Sequence, residues 1–300
     1  MSRPKVALAT CKKLPEPDVD EEILVRALSA SGVDVRMLAW DDETTEAGHD
    51  ELVVIRSTWN YIEDVDAFLR WTERTSERTT LLNPASIVRA NAKKTYLADL
   101  ESRGIAVVPT EYVERSCTVR VEDVLGRRGW DAVVIKPVVS AGSFKTQRFD
   151  ASEVVAAQRF LDELTAERDA MIQRWMPSVD GYGERSLVWI DGEVTHAVRK
   201  APRFSGGHES VSANEVPIAP EELAFAERVL APLEASLLYA RVDMVRDADG
   251  SPRLMELELI EPSLFLKQCP RAVDRFAAAI VARAAAARRP SSGHGGAGAA

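Results

Sequence analysis

The chain has 300 residues and only three cysteines, Cys11, Cys117 and Cys269, all far apart. They form neither a metal-binding spacing nor a disulfide framework, which fits a reducing compartment. No apolar run is long enough to span a bilayer, and no N-terminal signal peptide is visible, because Pro4 and Lys5 lead straight into a short strand-like run. The net charge is −9 with no basic run to offset it, which argues against nucleic acid as the main partner. There is no internal repeat. These absences predict a soluble, cytoplasmic protein without nucleic acid or membrane partners; self-association is left open. A hydrophobic content of 46% suffices for a sizeable core, in one multi-lobed unit or two to three subdomains.

Over residues 1–90, the stretches 6–10, 33–40 and 52–55 read as strands. Residues 20–31 read as a helix with Ile23, Leu24, Ala27 and Leu28 on one side and Gly32 ending it. This alternation predicts a small parallel sheet whose strand ends carry ligand-contacting loops. The third strand empties into Arg56-Ser57-Thr58-Trp59-Asn60-Tyr61, where the planar fork of Arg56 suits a substrate carboxylate. Equally, Trp59 and Tyr61 can pack the following helix while Arg56 makes a structural ion pair.

From 91 to 175 the sequence predicts a helix over 91–103, opened by Lys93 and Lys94 and ended by Gly104, then an extended run at 105–109. Residues 133–137 form an apolar strand ending in Lys136-Pro137, followed by the small-residue loop Ser140-Ala141-Gly142-Ser143. Small residues let backbone N–H groups approach an anion, and a lysine at a strand end neutralises phosphate oxygens. A plain surface turn has the same composition, and the glycine spacing is not that of a Walker A loop. Ser152 can cap a helix to about 167, and 171–175 reads as a strand.

Beyond 176, strands at 187–190 and 194–198 flank Asp191-Gly192, a hairpin signal. Counting outward sets Glu184 opposite Arg199 and puts His196 on an apolar face with Leu187, Trp189, Val194 and Val198, as a packed histidine rather than a base. Lys200, Arg203 and the loop Ser205-Gly206-Gly207-His208 suit a flap over phosphate, or an ordinary mobile loop. Residues 220–236 and the alanine-rich stretch after Asp274 read as helices, and the tail from 289 to 300 as disordered.

Residues 239–263 carry the densest signal. Two alternating runs flank Asp249-Gly250, a type I′ hairpin turn. That turn places Arg246 opposite Arg253, Asp243 opposite Glu256 and Arg241 opposite Glu258. One face is then charged, and Val242, Met244, Met255, Leu257 and Leu259 form the other. Asp243 and Glu256 directly opposite each other repel, so either a hard divalent cation such as Mg²⁺ resolves the charge or Arg241 and Arg246 supply ordinary cross-strand pairs.

In this order, a helix-opening lysine, a strand ending Lys-Pro with a small-residue loop, a strand before a hairpin, Arg-Val-Asp and a Glu-x-Glu strand, the chain resembles the ATP-grasp superfamily. The likeness covers about 91–263. The spacing of Asp243, Glu256 and Glu258 is similar to that of the metal ligands of D-alanine-D-alanine ligase, with Glu258 where Asn is common. Residues 181–207 look like the corresponding part of glutathione-synthetase-like proteins. The resemblance implies an α/β (α+β) ATP-grasp fold: a Rossmann-like pre-ATP-grasp domain at 1–90, a central subdomain at 91–175 and a C-terminal one at 176–288. It further implies that ATP phosphates meet Lys93, preferred over Lys94, and Lys136 under a cover formed by Ser140, Gly142 and Ser143. Gln173, Arg174, Trp175 and Met176 would form the adenine hinge and Glu184 the ribose-side acid. Arg56, Arg199 and Arg241 would be substrate or phosphate cations, and Asp243, Glu256 and Glu258 ligands of Mg²⁺, with Mn²⁺ as a substitute.

The implied chemistry is activation of a small carboxylate, an amino acid foremost, as an acyl phosphate that a nitrogen nucleophile attacks, with release of ADP and phosphate. One variant is intramolecular, resembling the cyclo-ligase of cycloserine biosynthesis. Two other classes stay open: a kinase-like phosphotransferase and a nucleotide-binding module without turnover.

Overall fold

The computed structural model of the protein describes residues 3–201, 210–233 and 237–288. Arg203, the loop at 205–208 and the tail from 289 lie outside the described residues.

Thirteen strands form three sheets among the described residues. The first is parallel, in the order β2 (Asp34–Ala39), β1 (Lys5–Thr10), β3 (Leu52–Ser57), β4 (Thr80–Leu82). Its central strands carry continuous apolar runs, Val6 to Ala9 and Leu52 to Ile55, because both faces are covered. Val6, Leu8, Leu52 and Val54 pack with the helices Glu21–Ala30 and Pro270–Ala287, while Ala7, Ala9, Val53 and Ile55 pack with Phe68 and Trp71 of the helix Val65–Arg78. The chain's last described helix thus closes the core of its first sheet. Tyr239 and Phe276, fully buried there, contribute about 1.5–3 kcal/mol each through apolar area removed from water.

The second sheet is antiparallel, in the order β5 (Thr110–Val113), β8 (Ala170–Arg174), β6 (Ala132–Pro137), β7 (Gln147–Asp150). The helices Val121–Arg128 and Val154–Thr165 cover one of its faces. The expected cap Ser152 gives way to Asp150 and Glu153, which form a capping box one turn earlier. The third sheet is antiparallel, in the order β11 (Ser210–Val211), β10 (Glu193–Ala201), β9 (Glu184–Ile190), β12 (Tyr239–Arg246), β13 (Pro252–Glu258). The extended run at 105–109 bridges to its last strand, with Val108 N–H donating to the Leu254 carbonyl at 2.9 Å and Leu254 N–H to Ala106 at 2.8 Å.

Three local expectations are corrected. The helix expected over 91–103 is two helices, Ala85–Asn91 and Tyr96–Ser102, with Lys93 and Lys94 in the turn between them. In the 239–263 hairpin, Gly250 is left-handed (φ 83°) and Gly250 N–H donates to the Asp247 carbonyl, so the loop has three residues, closed by Asp247 and Ser251. Arg246 therefore faces Pro252 rather than Arg253. A bulge after Asp243 takes up one extra residue, Met255, and restores Asp243↔Glu256 and Arg241↔Glu258. The two departures cancel in the part that matters for the charged face.

The third correction concerns the 184–201 hairpin. Asp191 and Gly192 both have positive φ, as a type I′ turn requires, but a bulge between Val194 and His196 shifts the rest by one residue. Glu184 then faces Lys200, and Arg199 faces Arg185. A one-residue slip exchanges the faces of every later side chain. Val188, Ile190 and Val198 accordingly pack with Tyr239, while Leu187, Trp189 and Ala197 pack with Phe225 and Val229.

Candidate active site

A cavity of about 800 Å³ opens between the second and third sheets, with the loop after β3 at one end. Strand alternation sets much of the wall, with Lys136 and Val134 from β6, Glu184, Lys200 and Arg241 from β9, β10 and β12, and Glu256 and Glu258 from β13, while Gln173 and Arg174 come from the end of β8.

Most of the charge is paired in advance. Lys136 Nζ donates to Glu256 Oε1 at 2.7 Å, and Lys94 Nζ lies 3.7 Å from the other oxygen. Burial pushes the Glu256 carboxyl up, but the two lysines outweigh it and hold it at about 2. Asp243 is fully buried. Arg241 Nε donates to Oδ1 at 2.9 Å and Arg241 Nη2 to Oδ2 at 2.9 Å, while Lys200 Nζ donates to Oδ2 at 2.8 Å. Burial here too is outweighed, by Arg241 and then Lys200, and the Asp243 carboxyl is held well below its ordinary value. Arg241 also pairs with Glu258, and Lys200 Nζ lies 2.5 Å from Glu184. Burial raises Glu184 to about 7 even so.

The structure brings together Lys136, Ser140, Gly142, Ser143, Gln173, Arg174, Trp175, Met176, Glu184, Arg241, Glu256 and Glu258 on the cavity wall. Gly142 and Ser143 are both left-handed (φ 57° and 61°), which bends the small-residue loop over the opening. Lys145 turns away to Glu167 at 2.9 Å.

Four expected residues lie elsewhere. Lys93 is exposed and 3.9 Å from Asp169, whereas Lys94 enters the cavity, its Nζ donating to the Ser140 carbonyl at 2.7 Å. The turn between the two helices fixes this choice: Lys94 N–H donates to the Val138 carbonyl at 3.0 Å, and the Tyr112 hydroxyl to the Lys94 carbonyl at 3.2 Å. Arg199 points outward, donating to the carbonyls of Tyr182 and Gly181 at 2.9 and 2.7 Å, and Lys200 takes the inward position. Arg56 is buried in the core, 5.8 Å from the ring centroids of both Tyr239 and Phe276, and donates to the Pro262 carbonyl at 3.2 Å. Asp243 lies beneath the wall with both oxygens occupied. Among the described residues no three of His, Cys, Asp and Glu are grouped to hold a metal.

The bulge turns Met255 from the expected core face to the cavity, beside Trp175 and Met176. Lys94 and Lys200 are the cavity cations that sequence reasoning ranked below their neighbours; a break between two helices and a bulge are what sort each pair. Arg199→Ala is therefore expected to leave kcat/KM within about twofold, since it touches only surface carbonyls. Lys200→Met is expected to lower it at least about 10²-fold in the same steady-state assay.

His196 is buried as expected, with Nε2 3.0 Å from the Leu264 carbonyl and Nδ1 2.9 Å from the Thr195 hydroxyl. Burial pushes it down to about 4 from an ordinary 6.5. The folded state thus keeps it neutral while the unfolded chain takes up a proton. Stability is complete above pH 6.5 and lost as pH falls toward 4, by up to about 2–3 kcal/mol. Urea unfolding at pH 7 and pH 4.5 should show a pH dependence at least about 1 kcal/mol smaller in His196→Gln.

With this geometry in place, comparison with known proteins decides the family. The DcsG cycloserine biosynthesis protein of Streptomyces lavendulae is 34% identical over 281 residues, covering 89% of this chain and 94% of that protein. The chain belongs to the DcsG family of ATP-grasp ligases. Residues 6–83 match the family model of the D-cycloserine synthetase DcsG N-terminal domain. The crystal structure of D-cycloserine synthetase DcsG superposes with a TM-score of 0.86 at 33% identity, over 93% of this chain and 99% of that one. The ATP-grasp ligase PsnB, solved with a minimal precursor, Mg and ADP, shares the fold at a TM-score of 0.63 and 17% identity, over 93% and 98% of the chains. The family's ATP-grasp architecture is the one expected from the sequence, and its members are ATP-dependent carbon–nitrogen ligases, as this chain is. Among the described residues no helix is long and apolar enough to cross a membrane.

Proposed function

We propose that the protein is an ATP-dependent cyclo-ligase, closing a cycloserine-type ring from one amino acid that carries its own nitrogen nucleophile. The observation that carries this is the likeness to D-cycloserine synthetase over nearly the whole chain, with a cavity of about 800 Å³ fitting a nucleotide and one small acid. In this reading residues 1–90 form the substrate-side unit, and 91–175 and 176–288 grip the nucleotide.

Lys94 and Lys136 leave Glu256 for the phosphates of ATP, under Ser140, Gly142 and Ser143. Gln173, Arg174, Trp175 and Met176 receive adenine, and Glu184 the ribose. The donor set fits a hard divalent cation, because Glu256 and Glu258 offer carboxylate oxygens two residues apart on one strand face. Mg²⁺, or Mn²⁺ in its place, would be held by Glu256 and Glu258 and would neutralise phosphate charge. Asp243 holds Arg241 and Lys200 in position. Those two cations face the γ-phosphate and the substrate carboxylate, whose oxygen attacks phosphorus as ADP departs. The acid's own nitrogen then displaces phosphate from the acyl carbon and loses a proton.

The test uses O-ureidoserine, which is the aminooxy acid formed by opening the cycloserine ring at its amide bond with a carbamoyl group added on the aminooxy nitrogen; the ring closes through that nitrogen with the carbamoyl group retained, or lost to water as carbon dioxide and ammonia. With ATP and Mg²⁺ the protein should release ADP, phosphate and a ring product seen by mass spectrometry, and hydroxylamine should trap a hydroxamate. AMP and pyrophosphate as products would sink the mechanism. ADP release only after a separate amine is added would make the ligation intermolecular.

A further inference from the structure

Of the buried or half-buried carboxylates on the cavity wall, Glu184, Glu256 and Glu258 are each matched to a lysine or arginine. Glu261 is not: among the described residues no cation lies within ion-pair distance of it, although it lines the cavity and is half-buried. Its nearest cations, Lys94 and Arg241, are committed to Ser140 and Glu256, and to Asp243 and Glu258, respectively.

The backbone around Glu261 is gripped carbonyl by carbonyl. The Tyr239 hydroxyl lies 2.6 Å from the Ile260 carbonyl, and Trp59 Nε1 donates to the Glu261 backbone carbonyl at 3.0 Å. Arg56 donates to the Pro262 carbonyl at 3.2 Å and Arg241 to the Ser263 carbonyl at 3.1 Å. Asp20 then accepts from Leu264 N–H at 3.1 Å and Leu266 N–H at 2.9 Å. These bonds hold the backbone at Glu261 in place on the cavity wall. Burial and then the charge of Glu258 push its pKa up to about 8, against the weaker pull of Lys94 and Arg241, so an added cation beside it would favour the ionised form.

We propose that Glu261 is the specificity residue that receives the α-ammonium group of the amino-acid substrate. An amino acid brings one anion and one cation, and this end of the cavity offers the complement: Arg241 for the carboxylate, Glu261 for the ammonium. The inference rests on the amino-acid ligase reading and deepens it by naming the group that distinguishes an amino acid from a simple acid.

The experiment compares O-ureidoserine with 3-(ureidooxy)propanoate, the same acid without its amino group, by ADP release. The wild type should prefer the amino acid by at least about 10²-fold in kcat/KM, and Glu261→Gln should cut that preference to below about tenfold with KM for ATP unchanged. Glu261→Asp, which keeps the charge, should retain an intermediate preference, and it supplies the reading if the glutamine variant does not fold. Equal loss on both acids would make Glu261 a general base or a structural residue and overturn the assignment, as would an unchanged preference. If the wild type releases ADP with neither acid, the cyclo-ligase reading itself fails and takes this one with it. Turnover of both acids without preference overturns only the role of Glu261.

Discussion

Lys94→Met should lower kcat/KM about 10²- to 10³-fold, while Lys93→Met should leave it within about twofold. The two lysines are adjacent, equally charged and equally polar, so composition cannot separate them. Their surroundings do: Lys93 sits in solvent beside Asp169, whereas the Lys94 ammonium is buried at the cavity wall, between Ser140 and Glu256. A fixed cation in a water-poor cleft stabilises developing phosphate charge far more than one in water, and removing one such donor typically costs that factor. Steady-state ADP release by the two purified variants checks it. Equal losses would mean that the turn after Asn91 rearranges when nucleotide enters.

The second large effect is on stability. Asp243→Asn should cost about 3–5 kcal/mol in urea unfolding at pH 7, because it leaves the Arg241 guanidinium and the Lys200 ammonium buried without the carboxylate they share. Combining it with Lys200→Met should recover part of that loss, giving a coupling of at least about 1 kcal/mol in the double-mutant cycle. Sign and pH window agree: the folded Asp243 carboxyl lies below its ordinary value, so its contribution is present above about pH 4 and disappears as acid protonates it. If Asp243→Asn unfolds like the wild type, the triad is not what fixes the two cations.

A large part of the site was legible in the sequence because it is written on strands. Asp243, Glu256, Glu258 and Arg241 share a face through period-two alternation, and Lys136 ends an apolar strand that can point only one charged group at the cleft. Even there the register came out right through two compensating departures, a three-residue loop and a bulge at Met255, neither of which alternation can report. The same kind of irregularity, uncompensated, moved Arg199 out and Lys200 in. Arg56 shows a different limit: a strand-end arginine looks the same whether it faces a ligand or packs beside Tyr239 and Phe276, residues about 180 and 220 positions away.

The sequence by itself determined the order of elements, the fold family and which strands carry the charge, because these follow from local periodicity and from motifs set along the chain. Only the tertiary structure decided which cation of each neighbouring pair enters the cavity, that Arg56 belongs to the core, and that among the described residues no cation lies within ion-pair distance of Glu261. Those outcomes depend on single-residue bulges and on contacts between segments distant in the chain, and each turns a side chain by half a revolution for a local energy difference that no periodic pattern records.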